Sequence, residues 1–93
     1  MNIDDNYQCF EQVMQNCIDQ IQHGKGHERH GEDDSFKHQS TWKITQECGE
    51  GFPIGQACKK ALESNRLPKD RKITELRGAV GYLLIALLYL EGN

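Results

Sequence analysis

The last third of the chain constrains the fold most. From Gly78 to Leu90 the sequence reads GAVGYLLIALLYL, with no charged residue, inside a helical pattern spanning 71–92. Glu75, Ala79, Tyr82, Ala86 and Tyr89 share one helical face, and Leu76, Val80, Leu83, Leu87 and Leu90 share the next. A helix that is apolar on every side must be covered on every side. A chain of this length buries only about two-thirds of the surface it exposes unfolded, so its core is marginal. Other helices, and a second subunit beyond them, are expected to supply the cover. Gly78 and Gly81 would let a crossing helix approach closely.

The rest of the chain is polar, broken by glycine, or only striped with apolar residues. Its 93 residues are expected to form a single helical domain, 1–93, with a net charge of -3 that argues against binding duplex nucleic acid. The charge is uneven. Residues 1–50 carry ten acidic and four basic side chains, whereas residues 51–93 carry four acidic and seven basic ones. An acidic front and a basic rear could meet within a subunit or between subunits.

Four helices are expected, at about 4–23, 35–50, 53–64 and 70–91, and no segment alternates as a strand would. In the first, Ile3, Tyr7, Phe10, Val13, Met14, Cys17, Ile18 and Ile21 build one stripe, with Asp5 and Gln8 resembling a capping box and Gly24 a terminator. Residues 24–33 (GKGHERHGED) read as a loop. Asp34 or Ser35 can cap the second helix, which places Phe36, Ser40, Ile44 and Cys48 on one stripe beside Trp42. Phe52 precedes Pro53 and is expected in a break, because a residue before proline avoids helical dihedrals. Pro53 then suits the first turn of the third helix, whose expected buried residues are Ile54, Ala57, Cys58, Ala61 and Leu62. Residues 65–72 (NRLPKDRK) form a basic connection to the last helix.

Cys9, Cys17, Cys48 and Cys58 form no CxxC pair and lie beside apolar residues, so they are expected to be buried free thiols. No signal-peptide pattern opens the chain, and the uncharged run is shorter than the roughly 20 residues a bilayer requires. A cytoplasmic protein without a membrane partner is expected.

The residues with chemical potential are few. His23, His27 and His30 lie close in sequence, but the intervening glycines offer a zinc ion no rigid scaffold. Neither a P-loop nor a dinucleotide-binding glycine fingerprint is present. Glu47 and Glu50 stand three apart on the expected second helix, so both carboxylates would leave one face. Facing a third carboxylate, they would suit a hard cation such as magnesium.

The order His30-Gly31, Trp42, Glu47-x-x-Glu50 and then Glu75-Leu76 opening an apolar helix resembles the MazG-type family, over residues 28–88. Those proteins are all-α nucleoside triphosphate pyrophosphohydrolases, and short versions occur in phages. The resemblance implies that Glu47, Glu50 and Glu75 are magnesium ligands on an EExxE helix and a later ExxD helix. This chain departs from both motifs. Gln46 replaces the leading Glu, and Gly78 replaces the Asp, which removes a side-chain oxygen that octahedral magnesium needs. The implied pocket would then hold nucleotide phosphates through the protein's own cations, with Lys59, Lys60, Arg71 and Arg77 as candidates and Trp42 as a stacking surface.

Three functions are compatible with these residues. The first is a small oligomer that binds a nucleotide or nucleotide-derived signal with little or no hydrolysis, as a phage-type sequestering or counter-defence protein would. The second is a magnesium-dependent pyrophosphohydrolase. The third is a protein-interaction module or inhibitor that engages a protein partner through its acidic front.

Overall fold

The computed structural model describes residues 3–23 and 35–92. The expected loop at 24–33, with His27 and His30, lies outside the described residues, as do Asp34 and Gly24. The described residues form four α-helices and no strand: α1 (Cys9–His23), α2 (Ser40–Cys48), α3 (Gly51–Ser64) and α4 (Lys69–Glu91). Short 3-10 turns precede α1 at Asp5–Tyr7 and α2 at Phe36–His38.

The centre of the fold is an antiparallel hairpin of α3 and α4. Lys60, late in α3, reaches Glu75 early in α4, while Phe52 at the start of α3 meets Tyr82 edge-on at 6.5 Å. Residues 65–68 make the turn. The helix ladder continues into them through Asn65, Arg66 and Leu67 N–H groups, and Pro68, extended, caps α4. At its far end α4 stops at Gly92, whose left-handed φ of 77° aims its N–H at the carbonyls of Leu88 and Tyr89.

Three faces of α4, set by its 3.6 residues per turn, have different fates. The face of Glu75, Ala79, Tyr82 and Ala86 packs on α3, and Ala79 and Ala86 are buried there. The face of Thr74, Arg77 and Gly81 meets α1. Gln20 Nε2 donates to the Thr74 carbonyl at 2.9 Å, and Ile21 packs against Gly81 so closely that a β-carbon would stand 3.1 Å from it. The third face, with Leu76, Leu83, Leu87 and Leu90, is open. The glycines expected to admit another backbone instead admit side chains, Ile21 at Gly81 and Lys60 at Gly78.

Several expectations are corrected. The first helix begins at Cys9 rather than near Asp4. Asp4, not an Asp5–Gln8 box, caps the 3-10 turn, accepting from Asn6 N–H at 2.9 Å, while Asp5 bonds the Gln8 side chain. The second helix begins at Ser40, because Gln39 is extended and interrupts it. A continuous helix would set Phe36 and Trp42 about 120° apart around its axis; the break lets their rings approach to 5.8 Å. Phe52 is helical, not in the break. Gly49, at φ 84° and ψ -177°, makes the whole change of direction, and Pro53 then falls in the first turn of α3 where its missing N–H has no intrahelical role.

The buried face of α3 is rotated from the expected one. Pro53, Ala57 and Ser64 are buried and Lys60 half-buried between them, whereas Ile54, Cys58, Ala61 and Leu62 are exposed, Leu62 by 70%. The rotation brings the Lys60 stem onto Gly78 and its ammonium onto Glu75, a contact that the apolar spacing alone does not foresee. Of the four cysteines only Cys17 is buried; Cys9, Cys48 and Cys58 are exposed free thiols. By length and composition α4 could cross a membrane, with a mean hydropathy of 1.5 over 18 residues.

Candidate functional site

Helix α4 carries Glu75 in its second turn, and the α3–α4 hairpin brings Lys60 against it. Lys60 Nζ lies 3.5 Å from Glu75 Oε2, and the two side chains are only 30% and 27% exposed. Gly78, one turn further on, completes the arrangement. A β-carbon there would stand 3.0 Å from Lys60 Cδ and 3.4 Å from its Nζ. Lys60 therefore lies across the space that a side chain at 78 would enter, and its ammonium supplies positive charge directly to Glu75.

A helix break falls between two of the carboxylates expected to act together. Glu47 is in the last turn of α2 and exposed, but α2 ends at Cys48. The positive φ of Gly49 then turns the chain, and Glu50 is the half-buried N-cap residue of α3. Glu47 and Glu50 do not project from one helical face, since that geometry requires an uninterrupted helix. Among the described residues no three His, Cys, Asp or Glu side chains are grouped so as to hold a metal ion.

The expected ligand-binding residues also divide. Trp42 is 6% exposed, packed with Phe36 in the core beside the fully buried Thr45, whose hydroxyl donates to the Thr41 carbonyl at 2.8 Å. A ring so covered offers no stacking platform without movement. Lys59 is exposed and sits 4.0 Å from Glu63 one turn along α3. Arg71 is exposed one turn before Glu75 and shares its face, so it flanks the Lys60–Glu75 pair. Arg77 is on the α1 side of α4, in a shallow depression of about 420 Å³ lined also by Asn16, Asp19, Gln20 and His23. Lys60 and Arg77 thus serve opposite sides of the same helix.

The turn end of the α3–α4 hairpin is the strongest positive region of the chain. Seven basic and three acidic side chains fall between residues 59 and 77, so this segment is positive within a chain of net charge -3. The hairpin turn folds them into one end of the helix pair. What the sequence alone could not supply was the cross-helix partner of Glu75. Its only signal was Lys60 standing at the i+3 and i-4 positions of the small or buried residues Ala57 and Ser64.

Comparison with protein-family models, curated proteins and solved structures returned no match to this chain.

Proposed function

We propose that the protein binds the phosphate groups of a nucleotide or nucleotide-derived signal at the α3–α4 seam and does so without metal-dependent hydrolysis. The observation that carries this reading is Lys60, whose half-buried ammonium contacts Glu75 and whose stem covers Gly78. In the MazG-type resemblance those two positions belong to magnesium ligands. Here a side-chain cation takes up the negative charge of Glu75, the carboxylate that remains at those two positions.

An ammonium has three donors, and a single carboxylate oxygen uses one of them. The remaining donors of Lys60, together with the exposed guanidinium of Arg71 on the same face, suit a phosphate, which Arg engages bidentately. Binding by fixed cations neither needs a metal nor activates a water, so the ligand is held rather than turned over. Stoichiometric capture of a nucleotide signal in the cytoplasm, as a sequestering or counter-defence protein performs it, is the activity that follows.

Calorimetric titration with a panel of nucleotides in chelator tests the proposal. Saturable binding is expected without magnesium, weakening as salt screens the exposed charges. Arg71→Ala should reduce affinity about tenfold or more, the effect of losing one charge-assisted hydrogen bond of about 1.5–3 kcal/mol. Absence of binding across the panel would reject the reading. Pyrophosphate release in magnesium, abolished by Glu47→Gln, would replace it with the hydrolase reading.

A further inference from the structure

The open face of α4 is more regular than a scatter of exposed apolar residues. Ile73, Leu76, Val80, Leu83, Leu87 and Leu90 follow one another at steps of three, four, three, four and three. That is the a and d spacing of a coiled-coil seam. The five Ile and Leu side chains in it are 40–59% exposed, and Val80 is half-buried. Helix α3 adds to the same surface. On both antiparallel helices the open residues follow the buried ones by about a third of a turn, which puts them on one side of the pair and sets Ile54 and Leu62 beside the α4 row. Contiguous exposed apolar rows of this kind mark association surfaces.

We propose that this strip is the interface with a second copy of the chain, and that the two α4 helices cross it antiparallel. Two features support this occupant, and the second sets its orientation. The first is spacing. A two-fold axis between Val80 and Leu83 pairs Ile73 with Leu90 of the partner subunit, Leu76 with Leu87 of the partner subunit and Val80 with Leu83 of the partner subunit, so the row is self-complementary when reversed. An isologous dimer requires that self-complementarity. The second is charge. Lys69, Arg71, Lys72 and Arg77 outnumber Asp70 and Glu75 in the first turns of α4, which leaves that end net basic, and the only charged residue after them is Glu91. A parallel pair would bring two basic ends together. The antiparallel pair sets each basic end beside the other helix's carboxyl end, with its Glu91 and its free carbonyl groups.

The alternative cover is a lipid bilayer, for which α4 has the length. It is disfavoured because a spanning α4 would carry its α3 face, with Lys60 and Glu75, into hydrocarbon or would have to abandon α3.

Sedimentation velocity over a concentration series, with zero-length carbodiimide cross-linking of the wild-type chain, decides the matter. The expected species has twice the chain mass of 10.7 kDa. Leu83→Glu and Leu87→Glu should each return it to one chain mass while circular dichroism remains helical. Cross-links between Lys69 or Lys72 and Glu91 should form between chains, because Lys72 and Glu91 stand about 28 Å apart along one helix. The cross-links use the native sequence and so remain informative if either variant fails to fold. A wild-type single chain, a dimer that survives both substitutions, or a dimer lacking the Glu91 cross-links would overturn the proposal. So would binding to phosphatidylcholine vesicles that Leu83→Glu abolishes.

Discussion

Removing the charge of Lys60 while keeping its stem over Gly78, as Lys60→Met does, isolates the ion pair from the packing. At 3.5 Å and an effective dielectric near 20, the bare attraction is about 5 kcal/mol. Most of that is returned to water, since both groups lose about two-thirds of their exposure on folding. Exposed pairs couple by about 0.2–1 kcal/mol and truncation of one partner in a fully buried pair costs about 3–5 kcal/mol. A coupling of about 1–2 kcal/mol is therefore expected for this half-buried pair. The assay is a double-mutant cycle of Lys60→Met, Glu75→Gln and the double variant, by urea denaturation at one fixed protein concentration, because association would shift apparent stability. With a urea slope of about 1–2 kcal/mol per molar for a chain of this size, each single variant should unfold roughly 1 M earlier. The double variant should lose less than the sum. Additivity within about 0.3 kcal/mol would refute the reasoning, since it would leave Glu75 solvated and available to a metal.

Other perturbations probe the elements that place the seam. Gly49→Ala should cost about 1–3 kcal/mol in urea unfolding, because φ 84° with ψ -177° is a backbone region essentially reserved for glycine; its neighbourhood is otherwise open, so the loss is conformational, not steric. Gly81→Val should loosen α1 from α4 by driving a side chain into Ile21, with a loss of about 1–3 kcal/mol and faster amide exchange in the second half of α1. Trp42→Ala should cost about 3–5 kcal/mol as a core truncation. As the chain's single tryptophan, Trp42 should also show blue-shifted emission poorly quenched by acrylamide, an outcome opposite to that of an exposed stacking platform.

The all-helical class and the four helices were legible because apolar spacing repeats through α1, α3 and α4. So was the division of α4 into two adjacent faces, although the neighbour each would meet was not. The misplaced features share a cause: local rules competed with contacts between distant residues. Phe36 and Trp42 meet only because the helix breaks at Gln39, and nothing in the spacing of either residue requires it. Proline's bias against a helical Phe52 yielded to the stronger demand of Gly49, after which Phe52 gained Tyr82 as a packing partner. The α3 face was misjudged because hydrophobicity favoured Ile54 and Leu62, while a lysine stem over a glycine was not counted as core. That same contact hid the site. Glu75 was readable as a carboxylate with chemical potential, but its partner Lys60 lies on another helix, and only the hairpin register brings them together.

Binding of manganese to the wild-type protein and to Lys60→Ala, followed by electron paramagnetic resonance of the free ion, tests most directly whether Lys60 stands in the place of a metal. The account predicts no saturable manganese site involving Glu75 in the wild type, and a gain of manganese affinity when the ammonium is removed. A wild-type site that Glu75→Gln destroys would contradict it.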